Sequence, residues 1–334
     1  MKKRKKKQSL IRYSFLRITT GSDLSARRLA VMKAQSPQGE GPVVWLTACV
    51  HGDEVGGIVV IQEIFKRLKK VPLRKGSLHA FPLMNPVGFE HTLRTLPASH
   101  EDINRSFPGD ARGTLAERLA EKIFNTITAT QPTLVVDLHN DWIRSIPYAL
   151  IDPCPTGKKD VHMETLAYGR TTGLLMVNEQ EDADDADDLR RSLSGSLLTR
   201  GIPALTLELG GSYVVNEKDV ARGVDALWNI LVSLDMVDAI ESETPYSTLE
   251  EAKGVLLSYS HEPTAQMGGI LRVLSRPGDS AKKGEPLARV YNVFGKLEET
   301  LYALEDCIIL GYSDSSAVKP GEPIMAFGVL PKKR

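Results

Sequence analysis

The sequence has few cysteines, no charge imbalance and no long apolar run, and each absence narrows the class of protein. The three cysteines are odd in number, lie far apart and form no C-x-x-C pair, which predicts reduced thiols in a cytoplasmic protein. Acidic and basic side chains balance at 42 each, so no overall field attracts nucleic acid. No apolar run approaches the roughly 20 residues of a membrane-spanning helix. We therefore expect neither a nucleic-acid nor a membrane partner.

The chain begins with a strongly basic stretch, MKKRKKKQSL, of the kind that can start a signal peptide. The next stretch, IRYSFLRITT, is interrupted by Arg12 and Arg17 and has neither an apolar core nor a small-residue cleavage site. Residues 1–20 are therefore interpreted as a solvated, disordered tail and lead-in.

Between residues 21 and 245, strand-like apolar runs alternate with helical patterns. GGIVVIQEIFKRLKK has apolar residues at helical spacing, whereas PVVWLTACV, PTLVVDLHN and IPALTLELGG are short apolar runs without that spacing. Buried strands separated by helices are typical of an α/β fold, in which a mostly parallel or mixed, twisted sheet has helices on both faces. We expect this region to form the larger domain.

After a polar segment near residue 245, the pattern changes to short alternating strands separated by glycine and proline turns. LRVLSRPGDSAKKGEPLARV resembles IILGYSDSSAVKPGEPIMAF, and the two GEP triplets lie 37 residues apart. This weak repeat predicts a small all-β barrel or sandwich over residues 246–334. Neither copy has the hairpin-tip lysine of lipoyl and biotinyl carriers, which favours a lid or assembly role. Whether the protein forms a homo-oligomer is left open.

Three of the predicted strands end in side chains that can bind a metal ion or work beside one. His51 and Glu54 follow PVVWLTACV, His139 ends TLVVDLH, and Glu208 ends ALTLE. Ligands of open α/β sheets bind beyond the carboxyl ends of the strands. Two histidines and one carboxylate suit Zn²⁺ and leave a coordination position for water. The other histidines lack this placement and are interpreted as structural or surface residues: His79, His91, His100, His162 and His261.

Four motifs follow one another in the order H-G-D-E-x-x-G from residue 51, D-x-N-R-x-F-P-G from 102, D-L-H-N from 137 and E-L-G-G from 208. Together they resemble the succinylglutamate desuccinylase/aspartoacylase family, a branch of the zinc carboxypeptidase superfamily. The resemblance runs from about residue 40 to 215, and this family appends a β tail of the same kind. It implies hydrolysis of the amide bond of an N-acyl amino acid, or of a similar small amide that carries a carboxylate.

The resemblance also implies a metal site and a base. His51, Glu54 and His139 would hold one Zn²⁺ per chain, and Glu208 would act first as general base and then as general acid. These roles agree with the chemistry of amide hydrolysis, in which a zinc-bound water has its pKa lowered toward about 7 and a glutamate takes its proton.

Further residues would bind the substrate or support the metal ligands. Asn104 and Arg105 match the pair that grips the substrate carboxylate, for which a bidentate guanidinium is well suited. Arg94 matches the arginine that polarises the scissile carbonyl. Asp102 matches a carboxylate that orients the first metal-binding histidine. Asp137 lies two residues before that strand's histidine, on the same face, and is expected to line the pocket.

Three other interpretations remain open at this stage. A zinc carboxypeptidase acting on peptides would use the same metal ligands, with Arg105 and Glu208 in similar roles. An iron(II) site for oxygen chemistry also uses two histidines and one carboxylate, although such sites usually occur in all-β barrels. A non-catalytic descendant would bind metal or a ligand without turnover. The sequence selects neither the acyl group nor the amino acid of the substrate.

Overall fold

The computed structural model describes residues 9–20, 26–179, 189–240 and 252–332. The first eight residues and the polar segment near residue 245 lie outside these ranges. The strands are β1 (Leu10–Thr20), β2 (Ala26–Gln35), β3 (Val43–Ala48), β4 (Ser77–Phe81), β5 (Leu134–Asp141), β6 (Arg144–Ser145), β7 (Pro147–Ile151), β8 (Leu175–Asn178), β9 (Ala204–Gly211), β10 (Leu256–Ser260), β11 (Gly269–Val273), β12 (Ser280–Ala281), β13 (Pro286–Tyr291), β14 (Leu297–Tyr302), β15 (Cys307–Tyr312), β16 (Ala317–Val318) and β17 (Met325–Val329).

The helices within these ranges are α1 (Gly56–Lys70), α2 (Pro86–His91), α3 (Leu115–Thr128), α4 (Lys159–Thr171), α5 (Leu193–Arg200) and α6 (Glu217–Ser233), and a 3₁₀ helix spans Ile103–Arg105. In the part of the chain that is described, none of them combines the length and the apolar character that crossing a membrane requires.

A thirteen-stranded mixed sheet forms the centre of the fold. Its strand order is β1-β2-β4-β3-β5-β9-β7-β8-β10-β17-β15-β12, and β6 pairs with β15. Strands β4, β3, β5 and β9 are parallel neighbours, and so are β7, β8 and β10. Strand β7 runs antiparallel to β9 and joins the two parallel groups. The predicted α/β fold with a mixed sheet is confirmed.

The two faces of the central strands differ in polarity. One face is apolar along its whole length and packs against α1, α4 and α6, with Leu46, Val136 and Leu207 fully buried. The opposite face is apolar only where the strands begin, and there Trp45 and Val135 pack in the core that includes α3 and α5. Toward the carboxyl ends its side chains are polar: Thr47, Asp137, His139, Thr206 and Glu208. The register of the parallel strands brings these polar residues together.

Two glycines let α1 begin directly against the sheet. A Cβ at Gly57 would lie 2.8 Å from Cβ of Leu138 and 2.9 Å from Cβ of Ala48, closer than side chains approach. The helix has no side-chain cap at its own N-cap residue. Instead, Oδ1 of Asn140 accepts a hydrogen bond from the N–H of Gly56 at 2.9 Å. The segment that precedes α1 is thereby held at the end of β5.

The N-terminal stretch differs from the predicted disordered tail, because Leu10–Thr20 form strand β1. This strand pairs antiparallel with β2, and Leu16 and Ile18 pack against the core. Arg12 and Arg17, which interrupt the apolar pattern, are exposed. Charged side chains are common on edge strands, where they discourage further pairing. They therefore did not indicate a disordered segment.

The C-terminal repeat is visible as two copies of the same strand pattern, β11-β12-β13 and β15-β16-β17. The copies exchange their short strands, since β12 pairs with β15 and β16 pairs with β11. Strands β14, β13, β11 and β16 form a separate four-stranded sheet, whereas β10, β17 and β15 continue the central sheet. The predicted C-terminal β region is confirmed, but its strands are divided between the two sheets.

Candidate active site

Two histidines and a glutamate converge at the carboxyl ends of β3 and β5. The Glu54 carboxylate lies between two imidazoles, with Oε1 2.6 Å from Nδ1 of His51 and Oε2 2.9 Å from Nδ1 of His139. One ligand atom from each residue lies within 4.8 Å of the others, and all three side chains are buried. The three predicted ligand residues therefore meet in a cluster that is compatible with one metal ion.

Each imidazole directs its other nitrogen at an aspartate. Nε2 of His139 is 3.0 Å from Oδ2 of Asp137, whose Oδ1 accepts a hydrogen bond from the Thr47 hydroxyl at 2.6 Å. Nε2 of His51 is 3.3 Å from Oδ1 of Asp102, which is an ion-pair contact without hydrogen-bond alignment. Such carboxylates fix the rings and leave Nδ1 for a metal ion. Asp137 thus contacts a metal-binding histidine and does not line the cavity, in contrast to the prediction.

The charges around the cluster oppose the effect of burial. Burial alone would raise the pKa of Glu54, but His51 and His139 lower it well below its usual range. Burial alone would lower the pKa of His139, but Asp137 and Glu54 raise it well above its usual range. A proton and a metal ion therefore compete for the same imidazole nitrogen, as is general for ligands that bind metal in their deprotonated form.

Asn140 holds the carboxylate of the cluster from the end of β5. Its backbone N–H donates to Oε2 of Glu54 at 3.1 Å, and its side-chain Nδ2 donates to the carbonyl oxygen of Leu209 at 3.1 Å. The residue belongs to the D-L-H-N motif, but the sequence analysis assigned it no role. It ties the ends of β5 and β9 to the start of α1.

The 3₁₀ helix carries Asn104 and Arg105 to the cavity. Asp102 caps this helix, since its Oδ1 accepts the N–H of Asn104 at 2.7 Å. Oδ1 of Asn104 accepts the N–H of Leu193 at 2.9 Å, a bond that does not use the amide NH₂ group. Nη1 of Arg105 donates to the carbonyl oxygen of Asn104 at 2.9 Å. Both predicted substrate-binding side chains line the cavity.

Arg94 lies between Asp102 and the metal-ligand cluster. Its Nη2 and Nε are 3.1 and 3.2 Å from Oδ2 of Asp102, and its Nη1 is 3.6 Å from Oε1 of Glu54. The side chain is 48% exposed and lines the cavity. It therefore brings a positive charge to the outer side of the cluster.

Glu208 lies on β9, opposite His139 on β5 and Tyr148 on β7. Its Oε2 is buried and forms no hydrogen bond with any described residue. Burial raises the pKa of Glu208 well above its usual range, while His139 opposes this shift and Glu54 adds to it. A buried carboxyl group with an unpartnered oxygen in a cavity is a candidate general base.

A cavity of about 740 Å³ extends from the cluster along the polar face of the sheet. Its wall includes side chains that the sequence analysis did not identify: Tyr148, Asp152, Ser194, Tyr259 and His261. His261, interpreted from sequence as structural or surface, has its Nε2 2.7 Å from the Tyr259 hydroxyl. Both residues reach the cavity because β10 pairs with β8, about 80 residues earlier in the chain. No local sequence pattern indicates that pairing.

Comparison with known proteins gives one sequence family and one fold. The model of the succinylglutamate desuccinylase/aspartoacylase catalytic domain matches residues 40–234. The chain is 27% identical over 297 residues to the N-alpha-acetyl-L-2,4-diaminobutyric acid deacetylase of Halomonas elongata, over 85% of this chain and 80% of that protein.

Solved structures share the fold over nearly the whole chain. The product-bound ectoine utilization protein EutE (DoeB) from Ruegeria pomeroyi has a TM-score of 0.79 at 21% identity, over 97% of this chain and 96% of that one. A metallo-carboxypeptidase from Burkholderia cenocepacia has a TM-score of 0.52 at 17% identity, over 68% of this chain and 65% of that one.

The family model covers more than half of the chain and spans the metal-ligand cluster, the 3₁₀ helix and Glu208. The predicted carboxypeptidase-like fold agrees with the structural neighbours. The chain belongs to the succinylglutamate desuccinylase/aspartoacylase family.

Proposed function

We propose that this protein hydrolyses the amide bond of an N-acyl amino acid, with one Zn²⁺ held by His51, Glu54 and His139. The observation that carries the proposal is one cavity in which this cluster, the unpartnered oxygen of Glu208 and the guanidinium of Arg105 meet. The family name covers a desuccinylase and an aspartoacylase, and the curated relative is named a deacetylase, so removal of an acyl group is their shared chemistry.

The choice of zinc rests on the donor set. Two imidazole nitrogens and one carboxylate match a catalytic zinc site with an open position, and the aspartates behind both rings are typical of such sites. An iron(II) site for oxygen chemistry uses similar donors. Glu208 favours hydrolysis, because that reaction needs a proton acceptor beside the metal.

In the proposed reaction, water adds to the amide carbonyl, the C–N bond breaks, and a carboxylate and a free amine are released. A bound zinc ion would supply a Lewis acid that lowers the pKa of water toward about 7 and polarises the carbonyl. Glu208 accepts a proton from the attacking water and returns it to the leaving amine. Arg105 binds the substrate carboxylate with two parallel hydrogen bonds, and Asn104 adds its amide donor. Arg94 stabilises negative charge on the carbonyl oxygen.

The wall contributed by β10 supports a small substrate over a peptide. Tyr259, Ser260, His261 and Glu262 line the cavity on the side of β8 and β10. These residues narrow the space through which a longer peptide would extend. A peptide-cleaving carboxypeptidase is accordingly the second candidate, supported by the shared fold with the Burkholderia protein.

We infer that the protein works in the cytoplasm with a small-molecule partner. The three cysteines, Cys49, Cys154 and Cys307, are free thiols, and the first and third are buried. Unpaired cysteines are typical of a reducing compartment.

The direct test is release of free amine by the zinc-loaded protein from a panel of N-acetyl and N-succinyl amino acids, with dipeptides measured beside them. Glu208→Gln is the matched control, because it preserves the shape of the side chain and removes the proton acceptor. We expect release from acyl amino acids by the wild type and a loss of about a hundredfold to ten-thousandfold in the variant.

Cleavage of dipeptides alone would move the protein to the carboxypeptidases. Full activity of the Glu208→Gln protein would contradict the assigned base. Metal bound at one ion per chain, with no amine released from any substrate, would favour a non-catalytic binding protein.

A further inference from the structure

The far end of the cavity holds a buried acid that the proposed hydrolysis does not use. Asp152 directly follows β7, is 7% exposed and lines the same cavity as Glu208. In the pairing of β7 with β9, Tyr148 lies opposite Glu208 and Leu150 lies opposite Thr206. Because side chains two residues apart share a strand face, Asp152 continues this row away from the metal-ligand cluster.

One side of the Asp152 carboxyl group is anchored. The Ser194 hydroxyl hydrogen-bonds it from the first turn of α5. Oγ of Ser192, the N-cap of this helix, and Oγ1 of Thr206 lie 3.3 and 3.4 Å from Oγ of Ser194. Helix N-termini and hydroxyl donors favour the ionised form of a carboxyl group. The carboxylate is therefore fixed in orientation from one side.

The other oxygen of this carboxyl group, Oδ2, is buried and has no hydrogen-bond partner in the part of the chain that the structure describes. No described lysine or arginine forms an ion pair with it. Buried polar atoms are nearly always paired, and an exception in a cavity indicates a missing donor. A ligand in the cavity is a natural source of that donor.

The charges of the cavity are separated. Arg94 and Arg105 lie on the side of the 3₁₀ helix, whereas Asp152 and Glu179 lie at the ends of β7 and β8. A ligand that matches both sides has a carboxylate at one end and a positive charge at the other. An ammonium group has three donors, which the Asp152 oxygen and the nearby hydroxyl oxygens of Ser192 and Thr206 can accept.

We propose that Asp152 binds the side-chain ammonium group of the substrate, which makes the substrate an N-acyl derivative of a diamino acid. This inference rests on the proposed function, in which Arg105 binds the carboxylate of the same molecule. Asp152 then acts as a specificity-determining residue, because an uncharged side chain would leave its buried oxygen without a donor.

The test compares kcat/KM of the zinc-loaded protein for two matched sets of substrates. One set is Nα-acetyl-2,4-diaminobutyrate, Nα-acetylornithine and Nα-acetyllysine, and the other is N-acetyl-2-aminobutyrate, N-acetylnorvaline and N-acetylnorleucine. We expect the wild type to prefer at least one diamino compound by about tenfold or more, since hydrogen bonds to charged groups are the strong ones. In Asp152→Asn this preference should fall at least tenfold, mainly through KM.

Glu262→Gln is the matched control, because it removes one negative charge from another wall of the cavity. Oε2 of Glu262 already accepts the N–H of Thr264 at 3.0 Å. The preference for diamino compounds should be retained in this variant. An equal fall in both variants would assign the preference to overall charge and overturn the role of Asp152.

A binding measurement separates this inference from the proposed function. Calorimetric titration of the free diamino acids and of 2-aminobutyrate needs no turnover, and Asp152-dependent preference for the former would support the subsite even in an inactive protein. Hydrolysis of uncharged N-acyl amino acids without preference for diamino compounds would retain the proposed function and overturn the subsite. Because the wild type alone gives that result, the test does not depend on the folding of Asp152→Asn.

Discussion

The two sides of the cavity treat their carboxyl groups in opposite ways. On the side of β3 and β5, Glu54 and Asp102 lie against imidazole or guanidinium groups, and these lower the pKa of both carboxyls against the effect of burial. On the side of β7 and β9, Glu208 and Asp152 each have a buried oxygen without a partner among the described residues, and burial raises both pKa values. The first side is suited to bind a cation, and the second to accept a proton or a donor from a ligand.

The difference follows from which strands supply positive side chains. Strands β7 and β9, with the sequences PYALI and ALTLELGG, contain no lysine, arginine or histidine. Carboxyl groups on this side are therefore buried without a strong counter-charge, and desolvation dominates their pKa. One cavity can thus hold carboxylates for metal binding next to carboxyl groups that exchange protons or bind donors.

The largest effect should come from exchanging one glutamate on each side for glutamine. Glu54→Gln removes the charge between the two imidazoles, so we expect metal content after dialysis to fall from one ion per chain to near zero. Glu208→Gln should retain one metal ion per chain while losing turnover. Metal analysis and amine release on the same preparations check both expectations. Metal loss in both variants would break the distinction between the two sides.

The next effect is on stability as a function of pH. Burial raises the pKa of Asp152 from 3.8 to about 6. Below about pH 4 the group is protonated in both the folded and the unfolded chain, and the stability it contributes is lost as the pH rises through about 6. The full shift corresponds to about 3 kcal/mol. Asp152→Asn lacks this loss, so the metal-free variant should gain free energy of unfolding relative to the metal-free wild type between about pH 4 and 7.

Urea unfolding of both metal-free proteins at the two ends of this pH range measures the difference. A constant difference between them would show that Asp152 has the same pKa in the folded and the unfolded chain.

A smaller effect is expected behind the metal ligands. Asp137→Asn weakens the support of His139, and loss of such a partner typically reduces metal affinity by about 10- to 100-fold. Competition with a chelator of known affinity measures this change. Asp152→Asn serves as the control on the other side of the cavity and should leave metal affinity close to that of the wild type.

The smallest effect concerns the hydroxyl that anchors Asp152. Ser194→Ala removes a hydrogen bond to the carboxylate, which favours the protonated form and should move the pKa of Asp152 upward from about 6. The stability cost at neutral pH should be about 1 kcal/mol. Unfolding profiles against pH would show the transition displaced to higher pH than in the wild type. An unmoved transition would show that the α5 backbone, rather than this hydroxyl, sets the environment of Asp152.

The metal-ligand cluster could be predicted because its evidence is local. His51 and His139 each directly follow or end an apolar run, and parallel strands bring their carboxyl ends to one edge. The same reasoning placed Glu208 beside them. The limits of α1 also follow from a pattern of apolar residues within a single stretch of chain.

The rest depended on contacts between distant segments. Asp152 looks like a loop residue in IDPCP, and only the antiparallel course of β7 against β9 sets it deep in the cavity. Tyr259 and His261 reach the cavity through the pairing of β10 with β8, and nothing near them in sequence predicts that partner. In the N-terminal stretch, exposed Arg12 and Arg17 concealed a strand whose order comes from pairing with β2.

The position of β10 has a consequence for how the protein folds. This strand pairs with β8 on one side and with β17 on the other, so its place in the sheet joins residues near 176, 258 and 328. Contacts of such long sequence separation form late, because closing a long loop costs entropy before the contacts compensate for it. During synthesis, the metal-ligand cluster can assemble long before the ribosome has released β17. Ligand-binding competence should therefore appear after metal-binding competence as the chain emerges.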